Sequence, residues 1–467
     1  MMGKLQKSMA KLPCPESNCL SHHQVTIETV HGANLALRQV KCDVCMQENN
    51  QVCNCGHVQR MQVNGNDGAD HSFLHAVVNM SAMLIGLGQL STPYALENGG
   101  WASVFLLVGI GVICAYCSHL LGECLKKNPS SQSYVDIGEN ALGRKGRVLA
   151  ATFIYLEIFM ALVSYTISLH DNLITVFPGN RLKLPGAKLS TSQLITVIAV
   201  LIALPSLWLR DLSSISFLSW GGVLMSLIIF TSVVCTAIFG GVKANHSIPV
   251  LHVKNFPAIS GLYIFIYSGH VVFPNLYKAM KDPSKFTKAS IVSFASVTSL
   301  YTALAFLGAK LFGPQVNPQI TLSLPQHYFV TKIALWATVL TPITKYALGF
   351  APIAFQLERN LPDSLSSRMK LIIRGCVGSI LLLVILVLAL SVPYFEHVVS
   401  ITGSLVSVCI TLILPCAFYI RLSWPQISKS LLILNLSLIA FGSLLGVLGT
   451  ISSAKLLIKS LVRDHST

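Results

Sequence analysis

Charged residues are scarce in this sequence. Asp, Glu, Lys and Arg supply 11% of the 467 residues, whereas hydrophobic residues supply 53%. Soluble globular domains carry about 25% charged residues, so the composition excludes an ordinary soluble domain. Apolar runs take the place of the missing charge, and they recur at the length of about 20 residues that is needed to cross a hydrocarbon core. We therefore predict an all-α polytopic membrane protein.

The apolar runs follow one another from residue 71 to residue 457 and predict about eleven transmembrane helices. The predicted spans are 72–95, 101–124, 149–175, 194–209, 215–239, 259–278, 290–311, 330–355, 371–392, 399–420 and 431–457. This pattern predicts three parts: an N-terminal tail over residues 1–70, a transmembrane domain over 71–457 and a short C-terminal tail over 458–467.

Acidic residues are scarcer than basic residues, with 18 against 33, and the formal net charge is +15. In a soluble protein this surplus would suggest nucleic acid as the partner. Here the basic residues cluster in alternate loops, such as 126–147 and 278–288, as the positive-inside rule describes for a protein in a lipid bilayer. The rule places the N-terminus in the cytosol and the C-terminus on the luminal side. The sequon at Asn245 then predicts a glycosylation site in a luminal or extracellular loop.

The first 70 residues lack both a long apolar run and the apolar core of a cleaved signal peptide. They predict a cytosolic, mobile tail that holds six of the 13 cysteines. Disulfides are not expected, because the cytosol keeps thiols reduced. Cys42, Cys45, Cys53 and Cys55, with His57, offer enough thiolate and imidazole ligands for a structural zinc ion. The alternative is a tail whose cysteines are free or acylated.

Two of the predicted spans contain helix breakers at mid-membrane. The first span includes "IGLGQLSTPYAL", and the sixth, five spans later, includes "YSGHVVFPNLY". Gly88 and Pro93 are five residues apart, as are Gly269 and Pro274. A broken helix survives in hydrocarbon only where it is buried in protein or lines a cavity. Interruptions at corresponding positions are typical of an inverted-repeat transporter with a midplane site, although glycine and proline also serve ordinary helix packing and kinks.

The two breaks offer complementary groups to a ligand. Unwinding at Gly86 to Gly88 leaves backbone N–H groups at the start of a half-helix, where the helix dipole favours a carboxylate. The carbonyl ends freed at Tyr267 to Gly269 can accept hydrogen bonds from an ammonium group. A small zwitterion satisfies both breaks, and an aromatic acid without an amine would satisfy the first.

Six segments of the chain resemble the amino acid/auxin permease family. They are "NMSAMLIGLGQLSTPYALENGGW", "DNLITVFPG", "LRDLSSISFLSWGG", "YSGHVVFPNLYKAMKDPSKF", "FGPQVNPQITLSLP" and "TPITKYAL". The closest resemblance is to the vacuolar amino-acid transporters of plants and fungi, relatives of the vesicular inhibitory amino-acid transporter. It implies a leucine-transporter-like five-plus-five inverted repeat with one extra helix, and proton-coupled transport of neutral amino acids across a vacuolar or other endomembrane.

The resemblance also implies substrate-binding residues. Those at the first break, which would hold the substrate carboxylate, are Gly86, Leu87, Gly88, Gln89, Ser91 and Thr92. Those at the sixth-span break, which would take the amine and shape the side-chain pocket, are Tyr267, Ser268, Gly269 and His270. Thr341 resembles the hydroxyl that binds an ion in sodium-coupled relatives, and the alternative is a hydroxyl bonded to its own helix.

Proton coupling requires a titratable group within the membrane. His270 is a candidate because it lies beside the predicted site and an ordinary imidazole titrates between the pH of an acidic vacuole and that of the cytosol. The alternative is a neutral histidine that satisfies a carbonyl freed by the break. Glu157 is the second candidate, because a carboxylate at mid-span either pairs with a cation or titrates. Asp171 lies in "LHDNL", where relatives carry "EGDNL", so its role stays open.

We expect no enzymatic activity and no cofactor in the transporter domain. "GLGQLS" resembles part of a dinucleotide-binding loop, but no strand precedes it, and the spans carry no metal-spaced cluster of histidines and carboxylates. Two alternatives to an endomembrane transporter stay open. One is a plasma-membrane importer of amino acids or auxin-like acids, and the other is an amino-acid sensor that signals through its tail.

Overall fold

The computed structural model describes residues 25–27, 40–42, 73–177, 191–203, 212–240, 246–362, 365–424 and 426–466. The chain divides into two units, Met1–His71 and Ser72–Thr467. The described residues of the first unit form an antiparallel pair of strands, β1 (Val25–Ile27) and β2 (Val40–Cys42). The described residues of the second unit form helices, turns and connecting segments.

The second unit contains a succession of α-helices. In chain order they are α1 Phe73–Leu84, α2 Thr92–Gly99, α3 Ala102–Lys127, α4 Tyr134–Val176, α5 Thr191–Ala203, α6 Leu212–Phe239, α7 Phe256–Ile266, α8 Phe273–Ala279, α9 Phe286–Phe312, α10 Phe329–Asn360, α11 Ser367–Ser391, α12 Phe395–Thr402, α13 Leu414–Ser423 and α14 Lys429–Ser466. A 3-10 segment, Leu87–Ser91, leads into α2. Two π-helical segments, Gly403–Ser407 and Cys409–Ile413, separate α12 from α13.

The helices have the length and composition of membrane spans. Within the described ranges, six helices are long and apolar enough to cross a bilayer, and a seventh span results if α1 and α2, bent by 58°, are taken together. Shorter apolar helices lie within α5, α6, α7 and α10. The prediction of an all-helical membrane domain is confirmed, and the number of eleven spans stays a prediction. Helix α14 continues to Ser466, so residues 458–466 are helical.

Both predicted breaks are present, and they are built alike. The first separates α1 from α2, and the second separates α7 from α8. Pro93 and Pro274 each stand in the first turn of the second half-helix. Proline has no backbone N–H and a fixed φ, so it suits a first turn and cannot continue the preceding helix. Each span therefore stops and restarts within the membrane domain.

Candidate functional site

The two breaks lie against each other through their glycines. A Cβ atom added to Gly88 would lie 2.7 Å from Cγ2 of Ile266, the last residue of α7. A Cβ added to Gly269 would lie 3.1 Å from Cδ2 of Leu84, the last residue of α1. Each break therefore packs on the end of the other half-helix, and at Gly88 the approach is too close for a side chain unless Ile266 moves.

One tyrosine joins the two helix ends. The hydroxyl of Tyr301, on α9, lies 2.7 Å from the carbonyl oxygen of Leu84 and 3.3 Å from that of Ile266. These carbonyls end their helices and have no intrahelical partner. Tyr301 is fully buried, so its hydroxyl needs an acceptor. Sequence reasoning missed this residue, because a tyrosine in an apolar span gives no signal of the carbonyls that it meets.

We expect Tyr301→Phe to lower both stability and substrate affinity. The two buried carbonyls share the single O–H proton of Tyr301, and its loss costs about 1–3 kcal/mol. Thermal unfolding and substrate titration of the purified protein measure the two effects. Tyr134→Phe is the matched control, because Tyr134 is also buried and its hydroxyl donates at 2.7 Å to the carbonyl of Ile410, which lies in a π-helical segment and not at the end of α1 or α7. Loss of affinity in the control as well would contradict a specific role for Tyr301.

The first break presents polar side chains to the interior. Gln89 donates from Nε2 to the Ser226 carbonyl on α6 at 3.4 Å, and Thr92 donates to the Gln89 carbonyl at 2.9 Å. Oε1 of Gln89 and Oγ of Ser91 are buried and have no hydrogen-bond partner among the described residues. Because leaving such atoms unsatisfied is costly, they mark where a polar ligand or water fits.

The carboxylate of Glu157 is hydrogen-bonded to the second break. Oε1 of Glu157, on α4, accepts hydrogen bonds from the hydroxyls of Ser268 and Ser407, the latter at 2.9 Å. Ser407 is the last residue of the first π-helical segment, so Glu157 connects α4, the second break and this π-helical segment. Oε2 is buried without a partner, and within the described ranges no cation forms an ion pair with Glu157. The cation pairing considered from the sequence is therefore wrong for this part of the chain.

His270 packs away from the freed carbonyls. Its Nε2 lies 2.9 Å from the carbonyl oxygen of Cys114, in the middle of α3, and its ring lies 5.1 Å from that of Phe273 and 5.9 Å from that of Phe294. Since a carbonyl only accepts, Nε2 carries the proton and Nδ1 is a buried acceptor without a partner in the described residues. The expectation that this histidine satisfies a carbonyl of the break is wrong, because the carbonyl belongs to an intact helix.

Tyr267 caps α7 and fixes the start of the second break. Its hydroxyl lies 2.8 Å from Oγ1 of Thr298, and its ring packs 6.0 Å from that of Phe294 and 5.7 Å from that of Tyr301. The tyrosine is fully buried. Three residues of α9, Phe294, Thr298 and Tyr301, therefore contact Tyr267 and hold the start of the second break in place.

Asp171 belongs to a buried polar network at the far end of α4. Gln319, in the loop before α10, donates from Nε2 to Asp171 at 2.7 Å and accepts at Oε1 from Ser168 at 2.5 Å and Asn172 at 2.8 Å. Thr321 donates to Asn172 at 3.0 Å. Through this network Asp171 ties α4 to the loop before α10.

Comparison with known proteins shows the family of this chain. The family described as transmembrane amino acid transporter protein matches residues 69–455. This protein belongs to that family. Amino acid transporter AVT1H of Arabidopsis thaliana is 60% identical to this transporter over 429 residues, which cover 91% of this chain and 99% of that relative. The vesicular GABA transporter of Caenorhabditis elegans is 26% identical over 370 residues, covering 75% and 72% of the two chains.

Solved structures agree on the fold. The transporter superposes on MhsT in complex with L-phenylalanine with a TM-score of 0.50 and 13% identity, covering 82% of this chain and 98% of that one. It superposes on the substrate-bound, outward-open state of a sodium-coupled sialic acid symporter with a TM-score of 0.51 and 12% identity, covering 82% and 90%. Both have the leucine-transporter fold, which confirms the predicted architecture.

The other residues predicted for the transporter are placed as follows. Thr341 is buried and donates to the Ala337 carbonyl of its own helix at 2.8 Å, as the alternative prediction stated. Its use as an ion ligand stays a prediction. Cys42 ends β2, whereas Cys45, Cys53, Cys55 and Asn245 lie outside the described residues. The zinc site and the glycosylation site therefore stay predictions.

Proposed function

We propose that this transporter moves neutral amino acids across a vacuolar or other endomembrane, driven by a proton gradient, through alternating access around the two breaks. One observation carries the proposal: the two breaks pack against each other at their glycines. Oε1 of Gln89 and Oγ of Ser91 lie at the first break without a partner in the described part of the chain, and the Glu157 carboxylate contacts the second. Two facing interrupted helices supply a site that can be opened to either side of the membrane.

The substrate fits between the breaks as a zwitterion. Its carboxylate is expected at the backbone N–H groups of Gly86 to Gly88, where the 3-10 segment begins. Its ammonium is expected at the carbonyls of Tyr267 and Ser268, because those of Gly269 and His270 already accept the N–H groups of Val272 and Phe273. A neutral amino acid adds no net charge beside the buried Glu157 carboxyl, which supports the choice of substrate.

Glu157 is the group that we expect to carry the coupled proton. A charge at this depth is costly without a counter-ion, and Glu157 makes hydrogen bonds only to hydroxyls in the described part of the chain. A carboxylate accepts from both serines on one oxygen, whereas a protonated carboxyl has one oxygen that must donate. Oε2 has no partner among the described residues, so it can carry the proton while Oε1 keeps both serines, and gain or loss of the proton changes the charge beside the second break.

His270 is the second candidate, and two variants separate its roles. His270→Gln keeps a donor for the Cys114 carbonyl but cannot titrate in this range, so we expect gradient-driven uptake to persist. His270→Ala loses the donor and the ring packing, and we expect slower uptake that still depends on the gradient. Loss of gradient dependence in His270→Gln would instead assign the coupled proton to His270.

The experiment for the whole proposal is uptake of neutral amino acids by liposomes that contain the purified native protein, with a pH gradient imposed in either direction. We expect flux that follows the gradient and reverses with it. Substrate binding without flux under any gradient would favour the sensor. The endomembrane location is supported by the relative named as a vesicular transporter. Fluorescence of the tagged protein at the cell surface alone would favour the plasma-membrane importer.

A further inference from the structure

A long groove runs along the outside of the membrane domain between α3 and α9. Its cavity volume is about 1030 Å³. Trp101 and Phe306 close one end, with ring centroids 5.9 Å apart, and His119 and Thr287 lie at the other, with Nδ1 2.9 Å from Oγ1. Residues 101 to 119 of a helix span about 27 Å, so the groove follows most of the hydrocarbon thickness.

The walls of this α3–α9 groove are apolar and open to the bilayer. Val112 is 65% exposed and Ile291 is 54% exposed, and small side chains such as Ala115 and Ala295 also line the groove. Such apolar walls can accommodate a hydrocarbon chain, and the acyl chains of the surrounding lipids are available to fill the groove.

The polar end of the groove adjoins a surplus of positive charge. The segment from α8 into α9 carries four lysines, Lys278, Lys281, Lys285 and Lys288, against one acidic residue, Asp282. The side-chain hydrogen bond from Ser284 lowers the pKa of Asp282, so this carboxylate is charged and pairs with Lys285 at 3.4 Å. Lys288 directly follows Thr287, is exposed and has no partner among the described residues. The positive charge of these lysines would attract the negatively charged phosphate group of a lipid.

We propose that the α3–α9 groove binds an anionic glycerophospholipid, with an acyl chain along the groove and its phosphate at Thr287 and Lys288. Such a lipid would also contact the wall that supports the second break. Thr298 and Phe294 line the groove, and the same two residues hold Tyr267, by a hydrogen bond of 2.8 Å and a ring contact of 6.0 Å. The bound lipid therefore stabilises the substrate site from the membrane side.

Native mass spectrometry of the full-length protein, exchanged into detergent with phosphatidylglycerol or phosphatidylcholine, tests the proposal without relying on transport. We expect phosphatidylglycerol to be retained in preference to phosphatidylcholine. Ala295→Trp fills the groove and abolishes this retention, and Lys288→Gln weakens it about fivefold, the effect of one basic residue near an anionic lipid. Lys288→Arg keeps the charge and the native level of retention.

Two matched controls are available on other helices. Leu383→Trp adds a tryptophan at a side chain that is 62% exposed on α11, and Lys459→Gln removes an exposed lysine on α14. Neither is expected to change lipid retention. Equal retention of both phospholipids, unchanged retention in Lys288→Gln, or displacement of phosphatidylglycerol by a sterol would each overturn the proposal. Because binding is measured directly, these results do not depend on proton coupling or on the transported substrate.

Discussion

Glu157→Gln is expected to abolish uptake driven by a pH gradient while exchange of substrate across the membrane continues. Glutamine has nearly the volume of glutamate and keeps an oxygen that accepts from Ser268 and Ser407, so the break and the π-helical segment stay joined. What the variant loses is the group that gains and releases a proton. Net uptake should fall to the level of protein-free liposomes, whereas counterflow of labelled amino acid should persist.

Glu139→Gln is the matched control for this prediction. It makes the same chemical change within α4, before the kink at Gly143, at an acidic residue whose side chain is 42% exposed and pairs with Arg147 at 2.7 Å. We expect native uptake and exchange from this variant. Gradient-driven uptake that survives in Glu157→Gln would remove Glu157 from the coupling mechanism, and loss of exchange as well would show that the residue serves the structure alone.

Gly88→Ala is expected to lower substrate affinity by about 5- to 150-fold, the equivalent of the 1–3 kcal/mol that overpacking typically costs. The added Cβ would lie 2.7 Å from Cγ2 and 3.4 Å from Cα of Ile266, and therefore forces the two breaks apart. Equilibrium binding of a labelled amino acid to the purified protein measures the loss.

Two further variants make the interpretation specific. Gly109→Ala changes the same residue type in a membrane helix where an added Cβ meets nothing within 4 Å, and we expect native affinity. The double variant Gly88→Ala with Ile266→Ala removes the Cγ2 atom that causes the clash, and we expect part of the affinity to return. If the double variant is as weak as the sum of the two single variants, contact between the breaks is not the cause.

The positions of the breaks could be predicted from the sequence because they depend on local chemistry. Glycine and proline act on their own backbone, so Gly88, Pro93, Gly269 and Pro274 indicate the interruptions without knowledge of the neighbours. The apolar spans are equally local, since the length of an apolar run is enough to suggest a membrane helix. The all-helical class and the leucine-transporter fold followed from these signals together with the family resemblance.

The partners across the site could not be predicted, because they depend on packing between distant segments. Glu157 and Ser407 are 250 residues apart, and Leu84 and Tyr301 are 217 residues apart. The sequence indicates that a buried carboxylate needs an explanation, but not that two serines provide it. His270 illustrates the same limit: its break is visible in the sequence, whereas the Cys114 carbonyl that orients its ring is not.

The hydroxyl of Tyr301 has a consequence for the alternating access that we propose. A hydroxyl that contacts the carbonyls of Leu84 and Ile266 together restrains both helix ends relative to a third helix. We therefore expect the ends of α1 and α7 to move together with α9 during transport, so that the substrate keeps its contacts with both breaks. We expect the interrupted helices to bend away from the breaks, in their outer halves.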